Sequence, residues 1–170
     1  MELIKLSERI YMLPFVRETD RPNLFYIKGD NYSVAVDAGN SAAHVQEFYG
    51  QLKKHGLEMP RYTIITHWHW DHTFGLHAIC GKSIATVKTN EKLRQVMKWE
   101  WTKEKMRERE DADCEDHYEN GGRYDVDRLL DLIEFLKGID YQRHLISHDF
   151  EESKEEALTY LSEELEKRRI

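Results

Sequence analysis

The feature of the sequence that most constrains this chain is a cluster of four potential metal ligands within six residues. The cluster has the pattern H-x-H-x-D-H and directly follows the apolar run of residues 62–66. That run is rich in β-branched side chains, which predicts a strand, and a strand that ends in a ligand-rich loop can hold several side chains around one ion. Neutral imidazole suits zinc and iron, and four ligands at this spacing favour a metal site over a chance cluster. The candidate ligands are His67, His69, Asp71 and His72.

This cluster resembles the metal-binding motif of the metallo-β-lactamase superfamily, and two further segments fit the same family. Residues 34–39, with the sequence VAVDAG, resemble the strand and turn that precede the family's metal loop. Residues 145–149, with the sequence LISHD, resemble the closing strand that carries the last ligand, although Ser147 stands where the family usually has glycine. The resemblance implies an α+β fold, a four-layer αββα metallo-β-lactamase-like sandwich.

The resemblance also implies how the ligands are shared between two metals. Carried over by position, His67 and His69 would bind the first metal. Asp71 and His72 would bind the second metal, with His148 as its last ligand. Asp71 would in addition orient the attacking water, which makes it the expected catalytic residue.

The segment that should carry the bridging ligand departs from the family pattern. Asp111 is the predicted bridge between the two metals and Asp113 is a competing candidate, because Glu110 stands where the family has glycine. Between His72 and Asp111 the chain is shorter than the family, and the Gly-His-Thr-like motif with the third histidine of the first metal does not occur there. The expected sandwich is therefore incomplete in its second half.

The missing histidine weakens the first metal site most. A catalytic zinc typically has three protein ligands and an open position, and two histidines with the shared carboxylate only just reach that number. His77 and His117 are alternative ligands, although a single histidine is more often an ordinary surface or helix residue. Cys114, close to the predicted bridge, is more often a buried, inert thiol than a ligand.

The activity that the resemblance implies is hydrolysis by a metal-bound hydroxide. Two ions roughly 3.5–4 Å apart would hold a hydroxide at neutral pH and polarise the substrate oxygen. No nucleophile elbow of the Ser-His-Asp type occurs in the sequence. The expected cofactor is a divalent metal, zinc first with iron or manganese as alternatives, at one or two ions per chain. The expected substrate is a small molecule whose class the sequence does not identify.

A second hypothesis belongs to a different class of protein. A shortened scaffold would bind metal without turnover, and its open sheet edges would offer templates for another strand. A symmetric homodimer would cover such edges. Enzymatic activity therefore stays an open question at the level of the sequence.

Composition limits the number of domains and the kinds of partner. A chain of 170 residues with 40% hydrophobic residues predicts one domain over residues 1–170. The formal net charge of -7 argues against a nucleic-acid partner, which needs a basic surface. Two cysteines favour a reducing cytosol over a disulfide framework. The charged N-terminus and the absence of a long apolar run predict a soluble, cytoplasmic protein without a membrane partner.

Hydrophobic periodicity predicts the order of the secondary-structure elements. The expected strands, the first four in one antiparallel sheet, cover residues 3–6, 9–13, 23–28, 32–36, 62–66, 83–87 and 143–147. The first expected helix follows a cap at residues 40–41 and ends at Gly56. Further helices are expected over residues 74–79, 90–110 and 125–138. A last helix follows the capping-box match at residues 153–156.

Several other side chains have expected roles around the loop. Asp37 follows a buried-looking strand and is expected to support the metal loop rather than bind a metal. Trp68 and Trp70 alternate with the ligands and are expected to pack, so that they hold the loop and exclude water. Three histidines without suitable spacing are expected to face solvent or to form local hydrogen bonds; they are His44, His55 and His144.

Overall fold

The computed structural model describes residues 1–100, 102–105, 107, 130, 133–134, 137–138, 143–144 and 152–168. These residues belong to two compact units. The first unit contains Met1–Lys98, and the second contains the described residues that follow Lys98. That the whole chain forms one domain stays a prediction.

The first unit is built on a six-stranded sheet whose strands lie side by side in chain order. Within the first four strands each neighbouring pair is antiparallel, as the sequence predicted. The fifth is parallel to the fourth, and the sixth is parallel to the fifth. The strands are β1 (Ile4–Lys5), β2 (Ile10–Leu13), β3 (Leu24–Lys28), β4 (Ser33–Val36), β5 (Tyr62–Ile65) and β6 (Lys82–Ala85).

Helix α1 (Ala42–Lys54) makes the crossover that the parallel pair β4 and β5 requires. It begins as predicted at Ser41, whose Oγ accepts a hydrogen bond from the His44 backbone N–H at 3.3 Å. It ends next to Gly56, whose φ of 65° lies in the left-handed region that favours glycine. The predicted start and stop of this helix are confirmed.

The hydrophobic core of the first unit lies between α1 and one face of the sheet. Side chains alternate between the two faces along a strand, so every second one is buried on the face toward α1, as with Ser33 and Ala35 in β4. Tyr26 keeps its hydroxyl satisfied in the core by donating to Ser33 Oγ at 2.6 Å. The buried cluster contains Leu3, Leu13, Leu24, Tyr26, Ala35, Phe48 and Leu52.

Two further helices of the first unit differ from the sequence prediction. Helix α2 (Trp70–Thr73) lies inside the ligand cluster, where a loop was expected. Helix α3 (Val87–Val96) replaces the first part of the helix predicted over residues 90–110. It begins early because Thr86 Oγ1 accepts from the Thr89 N–H at 3.2 Å. Helical structure begins again at residues 103–105 with a second cap at Thr102. The prediction of one continuous helix over residues 90–110 was therefore wrong.

The second unit contains β7 (Arg143–His144), β8 (Glu152–Ser153) and α4 (Lys154–Arg168). The predicted capping box is confirmed, because the Glu156 N–H donates to Ser153 Oγ and the Ser153 N–H donates to Glu156 Oε2. Ile133 and Leu165 belong to one buried cluster, and both lie at hydrophobic positions of the helices that the sequence predicts. The predicted strand beyond residue 144 lies outside the described residues.

None of the helices in the described part of the chain is long and apolar enough to cross a membrane.

Candidate metal centre

The predicted ligand cluster lies at the carboxyl end of β5, next to the turn that follows β4. Two backbone hydrogen bonds hold the turn and the cluster together. The Ala38 N–H donates to His72 O at 2.9 Å, and the Gly75 N–H donates to Gly39 O at 3.1 Å. Since β4 and β5 are parallel, their carboxyl ends meet at one edge of the sheet, where side chains from both can converge.

The imidazole rings of three predicted ligands converge at this edge. The centroid of the His67 ring lies 4.5 Å from that of His69 and 4.1 Å from that of His72. The environments differ, because His72 is buried, His67 is half-buried and His69 is exposed. Asp71 is also buried, with 6% of its surface exposed. The four side chains that the sequence singled out in this cluster are therefore brought together.

His72 is held on both sides by carboxylates. Its Nδ1 lies 2.7 Å from Asp37 Oδ2, and its Nε2 lies 3.0 Å from Asp71 Oδ2. Burial alone would lower the pKa of His72, but the hydrogen bonds and charges of the two carboxylates outweigh it and raise the pKa to about 9. Without a metal, His72 is therefore protonated at neutral pH and donates through both ring nitrogens.

Asp37 is itself fixed by the start of the loop. Its Oδ1 accepts from the Thr66 backbone N–H at 2.8 Å, and its Oδ2 accepts from the Thr66 hydroxyl at 2.8 Å. Asp37 has a φ of 65°, a left-handed conformation that aspartate tolerates better than most residues. These contacts confirm the prediction that Asp37 supports the loop.

His67 has the opposite electrostatic environment to His72. Burial lowers the pKa of His67, and the neighbouring imidazoles of His72 and His69 lower it further. Its Nδ1 lies 3.0 Å from Thr66 Oγ1. A neutral imidazole is the form that binds a metal, and this environment favours the neutral form of His67.

The chemistry of these donors fits a borderline divalent metal, since imidazole and carboxylate are ligands of zinc, iron and manganese. The cluster does not form a complete coordination shell. Among the described residues, no group of three or more His, Cys, Asp or Glu side chains is arranged to hold a metal ion. His72 Nε2 and the Asp71 carboxylate are instead hydrogen-bonded to each other.

The remaining predicted ligands would have to complete the shell, and they lie outside the described residues. They are Asp111 with its competitor Asp113, His148, and the alternatives His117 and Cys114. The other alternative, His77, is exposed and lies in a 3-10 helix.

The two tryptophans of the cluster differ from each other. Trp68 is half-buried, and Lys92 Nζ lies 4.8 Å from the centre of its ring. Trp70 is 44% exposed and its ring lies 5.9 Å from that of Phe74, which is 39% exposed. The prediction that both tryptophans pack to hold the loop and exclude water was therefore wrong for Trp70, because its side chain is exposed at the start of α2.

The prediction that His44 faces solvent or forms a local hydrogen bond was also wrong. It is completely buried in α1, and neither ring nitrogen has a hydrogen-bond partner among the described residues. Burial, and then the charge of Arg21, lowers the pKa of His44 to about 4. No sequence pattern indicates the burial of His44, because it arises where α1 packs on Gly39. His55 is exposed as expected, and the His144 side chain lies outside the described residues.

A sequence model of the metallo-β-lactamase superfamily matches residues 18–153, which is most of the chain and includes the ligand cluster. The chain belongs to the metallo-β-lactamase superfamily. The predicted fold class is thereby confirmed, and the six-stranded sheet with its helices is the mixed architecture expected for a metallo-β-lactamase fold. No curated protein is a significant match to the chain.

Solved metallo-β-lactamases are similar to part of the chain. The enzyme from Hirschia baltica is 28% identical over 55% of this chain and 47% of its own, with a TM-score of 0.47. The metallo-β-lactamase DIM-1 is 25% identical over 58% of this chain and 49% of its own, also with a TM-score of 0.47. A double mutant of the sec-alkyl sulfatase PisA1 is 22% identical over 54% of this chain and 16% of its own, with a TM-score of 0.47. The chain spans about half the length of the metallo-β-lactamases that it matches.

Two residues near the cluster were not singled out from the sequence. Phe74 follows Trp70 by four residues, which is the spacing that brings side chains together on one helix face. Had α2 been predicted, this spacing would have indicated the aromatic pair. Lys92 approaches Trp68 from α3, and a contact between separate elements leaves no local pattern.

Proposed function

We propose that this member of the metallo-β-lactamase superfamily is a metal-dependent hydrolase of a small-molecule substrate. The observation that carries the proposal is the convergence of three histidine rings beside Asp71, with His72 fixed by Asp37. A net charge of -7 supports a small molecule over a nucleic acid as substrate. The presence of only two cysteines supports the cytoplasm as the compartment.

Four side chains of the cluster and two residues beyond it would hold the metal. His67, His69, Asp71 and His72 supply donors at the end of β5, and Asp111 and His148 are the proposed further ligands. A divalent metal, zinc first and iron or manganese as alternatives, activates water and polarises a substrate oxygen when it is bound in such a site.

The other roles belong to side chains of this chain. Asp37 accepts a hydrogen bond from His72 Nδ1–H, so Nε2 is the nitrogen that would become the ligand once it loses its own proton. Thr66 fixes the Asp37 carboxylate and thereby the angle of the His72 ring. Asp71 is the proposed group that orients the water and accepts a proton from it. Trp68, half-buried with Lys92 over its ring, is the proposed group that keeps water away from one side of the cluster.

Metal content measured with defined variants tests this proposal. The chain is purified without chelator and analysed for bound zinc, iron and manganese, together with the His67→Ala, His72→Ala double variant. The His55→Ala variant is the matched control, because His55 is exposed and is not among the proposed or alternative ligands. One or two equivalents in the native chain and the control, and a clear loss in the double variant, are expected.

Hydrolysis is then assayed with the metal-loaded chain. Representative esters, thioesters, β-lactams and phosphodiesters are tested, because the superfamily assignment does not select among them. Turnover that depends on metal and on His67 and His72 supports the hydrolase proposal. Absence of bound metal in the native chain, or turnover unaffected by the double variant, would refute it.

The catalytically silent scaffold that self-associates is the second candidate function. Within the part of the chain that the structure describes, strand β6 lies at one edge of the sheet, and all of its residues are exposed. Ile84 in this strand is 49% exposed, and its neighbour Ile64 is 40% exposed. A second copy of the chain could pair with this edge about a twofold axis. Light scattering of the native chain, of Ile84→Lys and of the control Val87→Lys distinguishes this candidate, because only the first substitution should dissociate such a dimer.

A further inference from the structure

The hydroxyl of Thr66 lies between a carboxylate and an imidazole at the start of the ligand cluster. Its Oγ1 is 2.8 Å from Asp37 Oδ2 and 3.0 Å from Asp37 Oδ1. The same oxygen is 3.0 Å from Nδ1 of His67. A threonine hydroxyl has a single proton to donate, so only one of these two neighbours can receive it.

The proton of this hydroxyl belongs to the bond with Asp37. A carboxylate can only accept hydrogen bonds, so a distance of 2.8 Å between the two oxygens requires the hydroxyl to donate. A hydrogen bond to an ionised group is also roughly twice as strong as one between neutral groups, which favours the carboxylate over a neutral imidazole as the acceptor. The hydroxyl thus joins the Thr66 N–H and the His72 Nδ1–H, which donate to the same carboxylate.

This direction of donation determines which nitrogen of His67 carries the proton. Because the hydroxyl proton is directed to Asp37, Thr66 Oγ1 has only lone pairs left for His67 and must accept from its Nδ1. Burial and the neighbouring imidazoles lower the pKa of His67, which favours the neutral ring with a single proton. With that proton on Nδ1, the free lone pair of the ring lies on Nε2.

We propose that Thr66 is a positioning residue that holds the proton of His67 on Nδ1, so that the Asp37 carboxylate orients two of the proposed ligands at once. The carboxylate acts on His72 directly and on His67 through the Thr66 hydroxyl. One carboxylate can serve both rings because their centroids lie only 4.1 Å apart. The role of Thr66 in metal binding rests on the proposed hydrolase function, whereas the position of the proton is a property of the metal-free chain.

Nuclear magnetic resonance of the full, metal-free chain at pH 8 tests the position of the proton. Correlations between ring nitrogens and ring hydrogens of isotopically labelled histidine distinguish the two tautomers, and the His67→Ala variant identifies the signals of His67. In the native chain His67 is expected in the form protonated on Nδ1. Thr66→Val keeps the shape of the side chain without the hydroxyl and should populate the form protonated on Nε2, whereas Thr66→Ser should keep the native form.

The matched control is Thr73→Val, which removes a hydroxyl from the same cluster. The Thr73 hydroxyl donates to the backbone oxygen of His69 at 2.8 Å, so its partner is a carbonyl and not an imidazole. Its loss should leave the tautomer of His67 unchanged, and a change there would overturn the inference, since it would show that any loosening of the cluster has this effect. Thr66→Ala provides a second side chain without the hydroxyl, and circular dichroism verifies that each variant folds.

Zinc affinity, measured by competition with a chelator, tests whether Thr66 acts through His67. Loss of a residue that orients a metal ligand typically weakens binding about 10-fold to 100-fold, and this loss is expected for Thr66→Val. The same substitution in a His67→Ala chain should have a clearly smaller effect, because the ligand that Thr66 orients is gone. An equal loss in both chains would show that Thr66 acts on His72 alone and would overturn the inference.

The two measurements separate failure of this inference from failure of the proposed function. A native His67 protonated on Nε2, or a tautomer that Thr66→Val does not change, would overturn the inference and leave the hydrolase proposal standing. A proton on Nδ1 that depends on the Thr66 hydroxyl, in a chain that binds no zinc, would overturn the hydrolase proposal and support the position of the proton.

Discussion

Asp37 accepts a hydrogen bond from His72 Nδ1 across 2.7 Å, and this bond joins the turn after β4 to the ligand cluster after β5. Both side chains are buried, with 5% and 1% of their surfaces exposed. Together with Asp71 on the other nitrogen, Asp37 raises the pKa of His72 to about 9. The bond therefore orients a proposed ligand and at the same time stabilises the proton that a metal must displace.

The first prediction is that metal affinity rises with pH. A metal can bind His72 only after Nε2 loses its proton, and the raised pKa keeps this proton bound up to about pH 9. The apparent dissociation constant for zinc should therefore fall by up to about tenfold per pH unit between pH 7 and pH 9. Competition with a chelator of known affinity measures this slope, and an affinity independent of pH would contradict the proposed role of His72.

The second prediction concerns Asp37→Asn, which keeps the shape of the side chain and removes its charge. The pKa of His72 should fall because the carboxylate that accepts from its Nδ1 is gone, so the pH dependence of zinc affinity should become flatter. At pH 9, where the proton competes least, zinc should bind about 10-fold to 100-fold more weakly, because the ring is less well oriented. The exposed Asp30→Asn serves as the control. Equal slopes in the native chain and Asp37→Asn would show that Asp37 does not act through His72.

Local patterns in the sequence predicted much of the first unit. Strands β3 to β5 follow an alternation that buries one face, and α1 begins and ends at residues whose side chains or backbone freedom define helix ends. The H-x-H-x-D-H spacing alone placed four candidate ligands together, because they lie within six residues of one turn. Each of these features depends on neighbours in the chain.

Features that depend on contacts between separate elements were not predictable. The burial of His44 results from the turn at Gly39 closing over α1, and no periodicity distinguishes His44 from the exposed His55. The extent of α3 was decided by competing caps at Thr86 and Thr102, where hydrophobic spacing alone had indicated one helix. The exposure of Trp70 follows from the helical turn of α2, which was not predicted because the ligand-rich residues were interpreted as a loop.

The third prediction concerns Gly39→Ala. Gly39 has a φ of 65°, and a Cβ there would lie 2.5 Å from His44 Nδ1. Backbone strain and this contact should together lower the free energy of unfolding by about 1–3 kcal/mol. Urea denaturation at pH 7 measures the change.

Gly50→Ala is the matched control for that substitution. Gly50 lies within α1, and a Cβ there would meet nothing within 4 Å. The same chemical change should therefore raise the free energy of unfolding by about 0.5–1 kcal/mol. If Gly39→Ala is as stable as Gly50→Ala, the turn at residue 39 does not have the conformation described above.

The last prediction concerns acid stability and His44. The pKa of His44 is about 4 in the folded chain and 6.5 in the unfolded chain, so the unfolded state binds a proton more readily between these values. The contribution of neutral His44 is thus fully present above pH 6.5 and is lost as the pH falls towards 4, by about 3 kcal/mol in all. Arg21 opposes protonation and Glu47 favours it, and both contributions are smaller than that of burial.

His44→Leu should remove this acid sensitivity. At pH 7 the variant should be about as stable as the native chain, because replacing an unpartnered buried imidazole by an apolar side chain of similar size leaves no polar atom unsatisfied. Between pH 7 and pH 4.5 it should lose about 2–3 kcal/mol less than the native chain. His55→Leu, at an exposed position at the end of the same helix, should show the native dependence on pH. Urea denaturation at both pH values decides the point, because parallel curves for the native chain and His44→Leu would mean that His44 is not buried in its neutral form.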